Sequence, residues 1–368
     1  MKIGIIGGGI VGSSSAYYLS KFGYKPVVIE KDGVASHASG FAQGGLNPNV
    51  NPYSIDFELH HLAWDLHNEI EQDSYLKNFF NPEYVKKSII LLATKRKEQM
   101  LFKTLLKTFS NRVSSSTRWL NSKEIREIDS RVSGEILGGV YYEDYMEVNS
   151  LKLSELFLKA SLEMGSEYIL GEVDKISIKN GKVVGVEVNG EEIFFDVLLI
   201  ASGPWSSSLL EKSGISLPLI PIKGQILRIE NPGLKYQVAF SWGKDYLTQK
   251  EDGLLWIGTT EEEVGFDDNI TVKGKEEILN SVEKIFPMIR ELNILKQTAC
   301  LRPVTQDNLP VISETNISGL YIGTVTGRKG IKLGPAIGNL VSRMIIGKDL
   351  QLDVSNFSLN RFNGIAKP

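Results

Sequence analysis

A single cysteine, Cys300, stands in 368 residues. That excludes an intrachain disulfide, a CxxC redox pair and a cysteine-rich zinc site, and it fits a reducing, cytoplasmic setting. Positive charge is in no excess either: 41 Lys and Arg face 44 Asp and Glu, a net of −3, which argues against bulk nucleic-acid binding. Long apolar runs are missing. The longest, Val197-Leu-Leu-Ile-Ala201, is far below the ~18 residues of a membrane-spanning helix. No small-residue cleavage site follows the first residues, so export is not expected. These absences place the chain in the cytoplasm or peripherally at a membrane. The four histidines, His37, His60, His61 and His67, include no i, i+4 pair of the kind that forms a helical metal site, and no metal is expected.

What remains is a chain that is 42% hydrophobic, enough for one large domain or two intimately built ones. Residues 3–6 are a β-rich apolar run, followed by Gly7-Gly-Gly-Ile-Val-Gly12 and by helical spacing over 13–22. A second apolar run, Val27-Val-Ile29, ends in Glu30, closing a βαβ unit of the usual ~30 residues. Gly7, Gly9 and Gly12 therefore fit GxGxxG in its working context, where backbone N–H groups and a helix N-terminus hold a pyrophosphate. Glu30 stands where an acid accepts hydrogen bonds from ribose hydroxyls and repels a 2′-phosphate. An adenine dinucleotide without that phosphate is expected.

Beyond Glu30 the loop over 35–45 is small and flexible, as suits a segment lying on a ligand. Residues 55–70 and 96–109 have helical spacing. Between 173 and 201 two Asn-Gly pairs, at 180–181 and 189–190, mark a three-stranded meander. It feeds the unalternating run 197–200, a buried strand of a parallel sheet. After Pro221 the chain alternates in longer strands, notably 225–229 and 254–257, expected to form an antiparallel substrate sheet. A last strand over 320–322 reaches the loop 323–330, and 335–346 has helical spacing with Pro335 in its first turn.

Taken together, Ile3 to Gly12, Glu30, the loop from Ala38-Ser-Gly40 to Gly44-Gly45, Pro221-Ile-Lys-Gly-Gln225, Gly258-Thr-Thr-Glu-Glu-Glu-Val-Gly-Phe266, Leu301-Arg-Pro-Val-Thr-Gln-Asp307 and Gly330-Ile-Lys-Leu-Gly-Pro335 resemble the FAD-dependent family of D-amino-acid, glycine and sarcosine oxidases. The resemblance spans nearly the whole chain. It implies a mixed α/β fold: a Rossmann-like FAD-binding domain over 1–85, 148–215 and 308–368, interleaved with an antiparallel-sheet substrate domain over 86–147 and 216–307. It also implies hydride transfer from the Cα of a small amino acid or N-methyl amino acid to flavin N5, giving an imine and then an oxo acid. The alternatives are a 2-hydroxy-acid or glycerol 3-phosphate dehydrogenase, or a flavin subunit of a larger dehydrogenase complex. The expected partners are a carboxylate-bearing small molecule and an electron acceptor, oxygen or a quinone or other carrier, with room for a homo-oligomer or a partner subunit and none for nucleic acid.

On this resemblance the cofactor-binding residues are Gly7, Gly9, Ile10, Val11, Gly12, Glu30, Lys31, Ser39, Gly40, Gln43, Gly44, Gly45, Leu46, Val173, Ser202, Gly203, Trp205, Arg302, Thr326, Gly327, Gly330, Ile331 and Lys332. Arg302 matches the carboxylate-binding arginine of glycine oxidases, and its planar fork suits two oxygens; the plain alternative is an ion pair with Asp307. Arg328, Lys332 and Tyr246 resemble further substrate-pocket residues. Cys300 stands two positions before Arg302, where monomeric sarcosine oxidases attach FAD covalently; non-covalent FAD is the expectation, with a thioether at Cys300 as the alternative. Two positions depart from the family. Trp256 occupies the place of a lysine that promotes reaction with oxygen, and Val325-Thr326 replaces a Gly-His pair, so a dehydrogenase competes with an oxidase.

Overall fold

The computed structural model describes residues 1–48, 51, 53–108, 117–233 and 238–362. The apolar opening run forms the strand Ile3–Ile6, which pairs in parallel with Val27–Glu30 and Val197–Ile200. The centres of these strands are buried throughout, as befits strands covered on both faces. Leu320–Thr324 and Glu167–Leu170 extend the sheet in parallel, and Val311–Glu314 closes one edge antiparallel, giving six strands. The chain reaches this sheet in three separate passages. The edge strand Val311–Glu314 carries no sequence expectation.

A second, nine-stranded sheet runs Ile294–Thr305, Leu219–Ile229, Leu255–Gly258, Asp245–Gln249, Val238–Trp242, Val85–Ala93, Gly138–Glu147 and Gly45–Leu46, with Arg118–Leu120 beside Gly138–Glu147. Its neighbours are antiparallel except Val238–Trp242 with Val85–Ala93, which lie parallel. The meander Val173–Lys179, Lys182–Val188 and Glu191–Phe194 forms its own small sheet. Both its turns are Asn-Gly pairs with positive φ at each residue, 52° and 72° at the first and 50° and 82° at the second, which is the type I′ geometry expected.

Two helices position the site. Ile10–Lys21 begins at Ile10 rather than residue 13, and its buried Ser13, Ser14, Ser15 and Ala16 are small enough to let neighbouring elements approach closely around it. Against it packs Gly330–Ile345, closely enough that Ser14 Oγ donates to the Gly334 carbonyl at 3.2 Å and a methyl on Gly338 would meet Ser14 Oγ at 2.1 Å. Their N-termini thereby converge: Ile10 and Gly330 line the same cavity.

Pro335 lies inside Gly330–Ile345, not in its first turn. Proline has no N–H, so the carbonyl of Ile331 loses its helical donor. His67, buried on the helix Phe57–Gln72, supplies the replacement by donating from Nε2 to Ile331 O at 3.1 Å and Lys332 O at 3.0 Å, while Tyr84 OH donates to its Nδ1 at 2.7 Å. The helix Arg96–Thr108 buries none of its residues; Phe109, expected to end it, lies outside the described residues, as do 363–368 of the expected C-terminal segment. Among the described residues no helix is long and apolar enough to cross a membrane.

Candidate active site

The strand Ile3–Ile6 turns into its helix at Gly7, where φ is +109° and a Cβ would meet the Ala201 carbonyl at 2.5 Å. Gly12 backs onto the same turn, with space for no side chain: a Cβ would lie 1.8 Å from Gly7 O. Glu30 completes it, its Oε2 accepting from Gly8 N at 2.7 Å and its Oε1 from Asp32 N at 3.0 Å. A cavity of about 190 Å³ opens here, lined by Gly7, Gly9, Ile10, Val11, Glu30, Lys31, Ser39, Val173, Ser202, Gly203 and Trp205. Lys31 Nζ lies 4.3 Å from the centre of the Trp205 ring, and His37 packs on the same ring at 4.7 Å.

A second cavity of about 390 Å³ adjoins the first, sharing Ile10, Ser39, Pro303 and Val325 with it. Gln43, Gly44, Gly45, Gly327, Gly330 and Ile331 border the second on the nucleotide side. Opposite them stands one face of the nine-stranded sheet. Because strand side chains alternate, Thr298, Cys300 and Arg302 share that face on Ile294–Thr305, joined by Gly224, Ile226, Tyr246 and Thr248.

Three buried polar atoms in this wall have no partner: Tyr246 Oη, Thr298 Oγ1 and Arg302 Nη1. Burial pushes the Tyr246 phenol well above its ordinary value, so it remains a donor. Arg302 is anchored by its other nitrogen, Nη2, which donates to Thr259 Oγ1 at 2.7 Å; Thr259 N in turn donates to the buried Asp245 carboxylate at 2.9 Å. Orphaned donors in a buried site carry a desolvation cost that an anionic ligand would remove. The tyrosine and guanidinium are the chemistry a carboxylate needs, and the helix N-termini at Ile10 and Gly330 suit a pyrophosphate-bearing cofactor alongside.

Several expected residues stand elsewhere. Lys332 borders neither cavity: its Nζ donates to the Asn47 carbonyl, and burial pushes its pKa down to about 7. Leu46 is fully buried core, Thr326 Oγ1 meets Thr305 Oγ1 at 3.2 Å, and Gly40 backs onto the Ala35 carbonyl. Arg328 lines the second cavity but donates from Nη1 to the Lys244 carbonyl at 2.5 Å and lies 3.5 Å from Glu261. The Arg302–Asp307 ion pair does not form; Asp307 pairs with Arg361 at 2.7 Å. Trp256 borders neither cavity, although it shares the sheet face of its cross-strand neighbour Thr248; it is bonded through Nε1 to Asp252 at 2.9 Å and lies under Arg228 at 3.9 Å. Cys300 borders the second cavity as a thiol whose pKa burial raises. Sequence reasoning missed Thr298, Thr259, Gly224 and Thr248. Among the described residues no cluster of three His, Cys, Asp or Glu could hold a metal ion.

A glycine-turn cleft continuous with an anion-receiving sheet face defines a dinucleotide-dependent oxidoreductase. Residues 2–344 match the family described as FAD dependent oxidoreductase, and the chain belongs to it. It is 28% identical over 371 residues to the glycine oxidase of Geobacillus kaustophilus, covering 98% of this chain and 97% of that protein. The crystal structure of glycine oxidase from Bacillus cereus superposes with a TM-score of 0.87 at 27% identity, covering 95% of each chain. That of glycine oxidase from Geobacillus kaustophilus gives 0.92 at 24% identity, covering 98% of each. The chain is thus an FAD-dependent oxidoreductase of the amino-acid oxidase type.

Proposed function

We propose that the chain oxidises a small amino acid or N-methyl amino acid, of the glycine, sarcosine, proline or D-amino-acid type, at its Cα–N bond, giving an imine that water converts to an oxo acid. The observation that carries this reading is the set of orphaned donors, Arg302 Nη1, Tyr246 Oη and Thr298 Oγ1, on one sheet face of the second cavity. FAD, which Gly7, Gly9, Glu30 and Gly330 would hold, would supply the two-electron acceptor for the Cα hydride.

The chain's own residues bind and orient. Arg302 and Tyr246 hold the carboxylate, the arginine fixed in place by Thr259 and the phenol kept protonated by burial. Fixing that end of so small a molecule sets where its Cα points, which is the positioning contribution to rate. Ile89, Leu91 and Ile226 in the same wall keep water from the reacting carbon. No side chain is required as a general base if the amine arrives neutral. Arg328, at the cavity's edge, adds positive potential near the same anion.

A phosphate-bearing substrate would need Arg302, Arg328, Lys329 and Lys332 to converge. Lys329 is instead committed to Asp56 at 2.6 Å and Lys332 to the Asn47 carbonyl, so that reading lacks its cluster. The acceptor of the electrons is oxygen or a quinone or other carrier, the latter favouring a peripheral position at a membrane.

The test is anaerobic mixing of the yellow protein with sarcosine, glycine, proline, both alanine enantiomers, 2-hydroxyglutarate and glycerol 3-phosphate. Bleaching by an amine supports the proposal; fast recovery of colour in air marks an oxidase and slow recovery a dehydrogenase. Bleaching by the hydroxy compounds alone would overturn it, and bleaching by none would favour a flavin subunit that needs a partner chain.

A further inference from the structure

A buried cluster of charge lies directly behind the wall of the second cavity. Glu147, the last residue of Gly138–Glu147, is 1% exposed. Its Oε2 lies 2.8 Å from Lys87 Nζ and 3.3 Å from Lys250 Nζ, and both lysine side chains are themselves about nine-tenths buried. Its Oε1 accepts from Gln43 Nε2 at 2.7 Å, Thr248 Oγ1 at 2.7 Å and Tyr145 OH at 3.0 Å. Gln43, Tyr145 and Thr248 all border the second cavity. The carboxylate therefore stands one side chain behind that surface.

The cluster also fixes the loop expected to lie on the flavin. Gln43 Oε1 accepts from Gly45 N at 2.9 Å, closing the turn, while Lys250 Nζ donates to the Gln43 carbonyl at 2.9 Å and the Val148 carbonyl at 3.2 Å. Burial alone would push the Glu147 carboxyl up, but Lys250 and Lys87 outweigh it and keep the group ionised. Two ammonium groups around one carboxylate leave one positive charge over. The nearby acids do not cancel it: Glu83 pairs with Lys152, and the negative charge of Asp252, felt by Lys250 and Arg228 alike, is matched by the Arg228 guanidinium. A surplus cation in so dry a place is costly on its own and exerts a strong field on whatever fills the adjoining cavity.

We propose that Lys87, Glu147 and Lys250 form a fixed positive charge behind the flavin end of the second cavity, with Glu147 positioning the turn at Gln43 to Gly45, so that negative charge on the flavin is favoured. The inference rests on that cavity holding the flavin and is independent of which amine is oxidised.

Sulfite is the probe. It adds its sulfur lone pair to N5 of oxidised flavin, placing negative charge on the ring without any further oxidant or reductant, and it bleaches the yellow band. In the holoenzyme, Lys250→Met removes a positive charge and weakens sulfite binding about tenfold; Glu147→Gln removes the negative charge and tightens it by a similar factor. The same factor in the two-electron midpoint potential is about 30 mV, downward for the first variant and upward for the second. A merely structural role would move both variants in one direction. Lys250→Arg, which keeps the charge, stays at the wild-type value. Should Glu147→Gln not fold, Lys87→Met takes its place, and it must weaken sulfite binding alongside Lys250→Met while Lys250→Arg does not. Variants that retain FAD yet leave sulfite affinity unchanged, or shift it in the same direction irrespective of charge, overturn the proposal. Failure of the wild-type protein to show a flavin spectrum overturns the assignment of the cavity instead.

Discussion

Gly224 and Arg302 sit diagonally across the paired strands Leu219–Ile229 and Ile294–Thr305, so close that a methyl group on Gly224 would lie 1.9 Å from Arg302 Nη2. The guanidinium reaches Thr259 and presents Nη1 to the cavity only because the backbone beneath it is bare.

Replacing Arg302 by Ala removes a charge-assisted hydrogen bond of about 1.5–3 kcal/mol, so kcat/KM should fall about 10- to 100-fold, mainly through KM. Gly224→Ala should reproduce much of that loss by displacing the guanidinium while the flavin spectrum is unchanged. Steady-state kinetics on both variants checks this, and an unaltered KM in Arg302→Ala would remove the arginine from the substrate site.

Tyr246→Phe separates binding from stability. The phenol oxygen has no partner in the protein, so its removal should leave Tm within a degree or two, since an unsatisfied buried group is lost. Substrate affinity should drop by a factor of about 5 to 10, equivalent to one hydrogen bond of about 1 kcal/mol. Thermal melts and KM measured side by side decide it; a large fall in Tm with no change in KM would make Tyr246 a packing residue.

Glu30→Ala strips the glycine turn of the acceptor for Gly8 N and Asp32 N. FAD affinity, measured by quenching of flavin fluorescence as apoprotein is added, should weaken about 10- to 100-fold. Equal affinity in variant and wild type would show that the turn holds its shape without the carboxylate.

His67 makes stability depend on acid. Burial depresses its pKa from 6.5 to about 4, so the unfolded chain takes up this proton at a higher pH than the folded one. Its contribution, on the order of 3 kcal/mol, is fully present above pH 6.5 and is lost as the pH falls toward 4. His67→Gln, which can still donate to the Ile331 carbonyl, should flatten the slope of Tm against pH in that window; an unchanged slope would assign the acid lability to other groups.

Cys300 is a buried thiol with a raised pKa, the reverse of an activated nucleophile. Acid precipitation should leave the yellow colour in the supernatant and a colourless pellet. Colour in the pellet that disappears in Cys300→Ser would establish the thioether.

Much of this architecture could be read from residue order alone, because the signals were local. The unalternating run 197–200, the two Asn-Gly turns and the strand-glycine-helix opening each state their conformation within a few residues. Even the face shared by Thr298, Cys300 and Arg302 follows from alternation along one strand, though it needs Arg302 as a starting point. What proximity in sequence suggests and distant packing overrules was not readable. Asp307 lies near Arg302 in sequence but is taken by Arg361, 54 positions away. Pro335 sits well inside its helix because a histidine 264 positions from Ile331 accepts the task of satisfying that carbonyl. Lys332 shares a short motif with cavity residues, yet its place on the helix turns it toward Asn47.

The six-stranded sheet has a consequence for how the molecule comes into being. Ile3 must wait for Val197, and Leu198 for Leu320, before either pairing exists. Contacts so remote in sequence slow folding, because long loops must close before burial rewards them. On the ribosome the first βα unit emerges with the faces of Ile5 and Val28 uncovered until nearly the whole chain has been made, an aggregation hazard typical of such topologies. Both halves of the cleft are bordered by residues from the last strand onward, Thr324 and Gly330 among them. Cofactor capture thus waits until synthesis has passed Gly330, and supply of FAD during expression should govern the yield of folded protein by mass action.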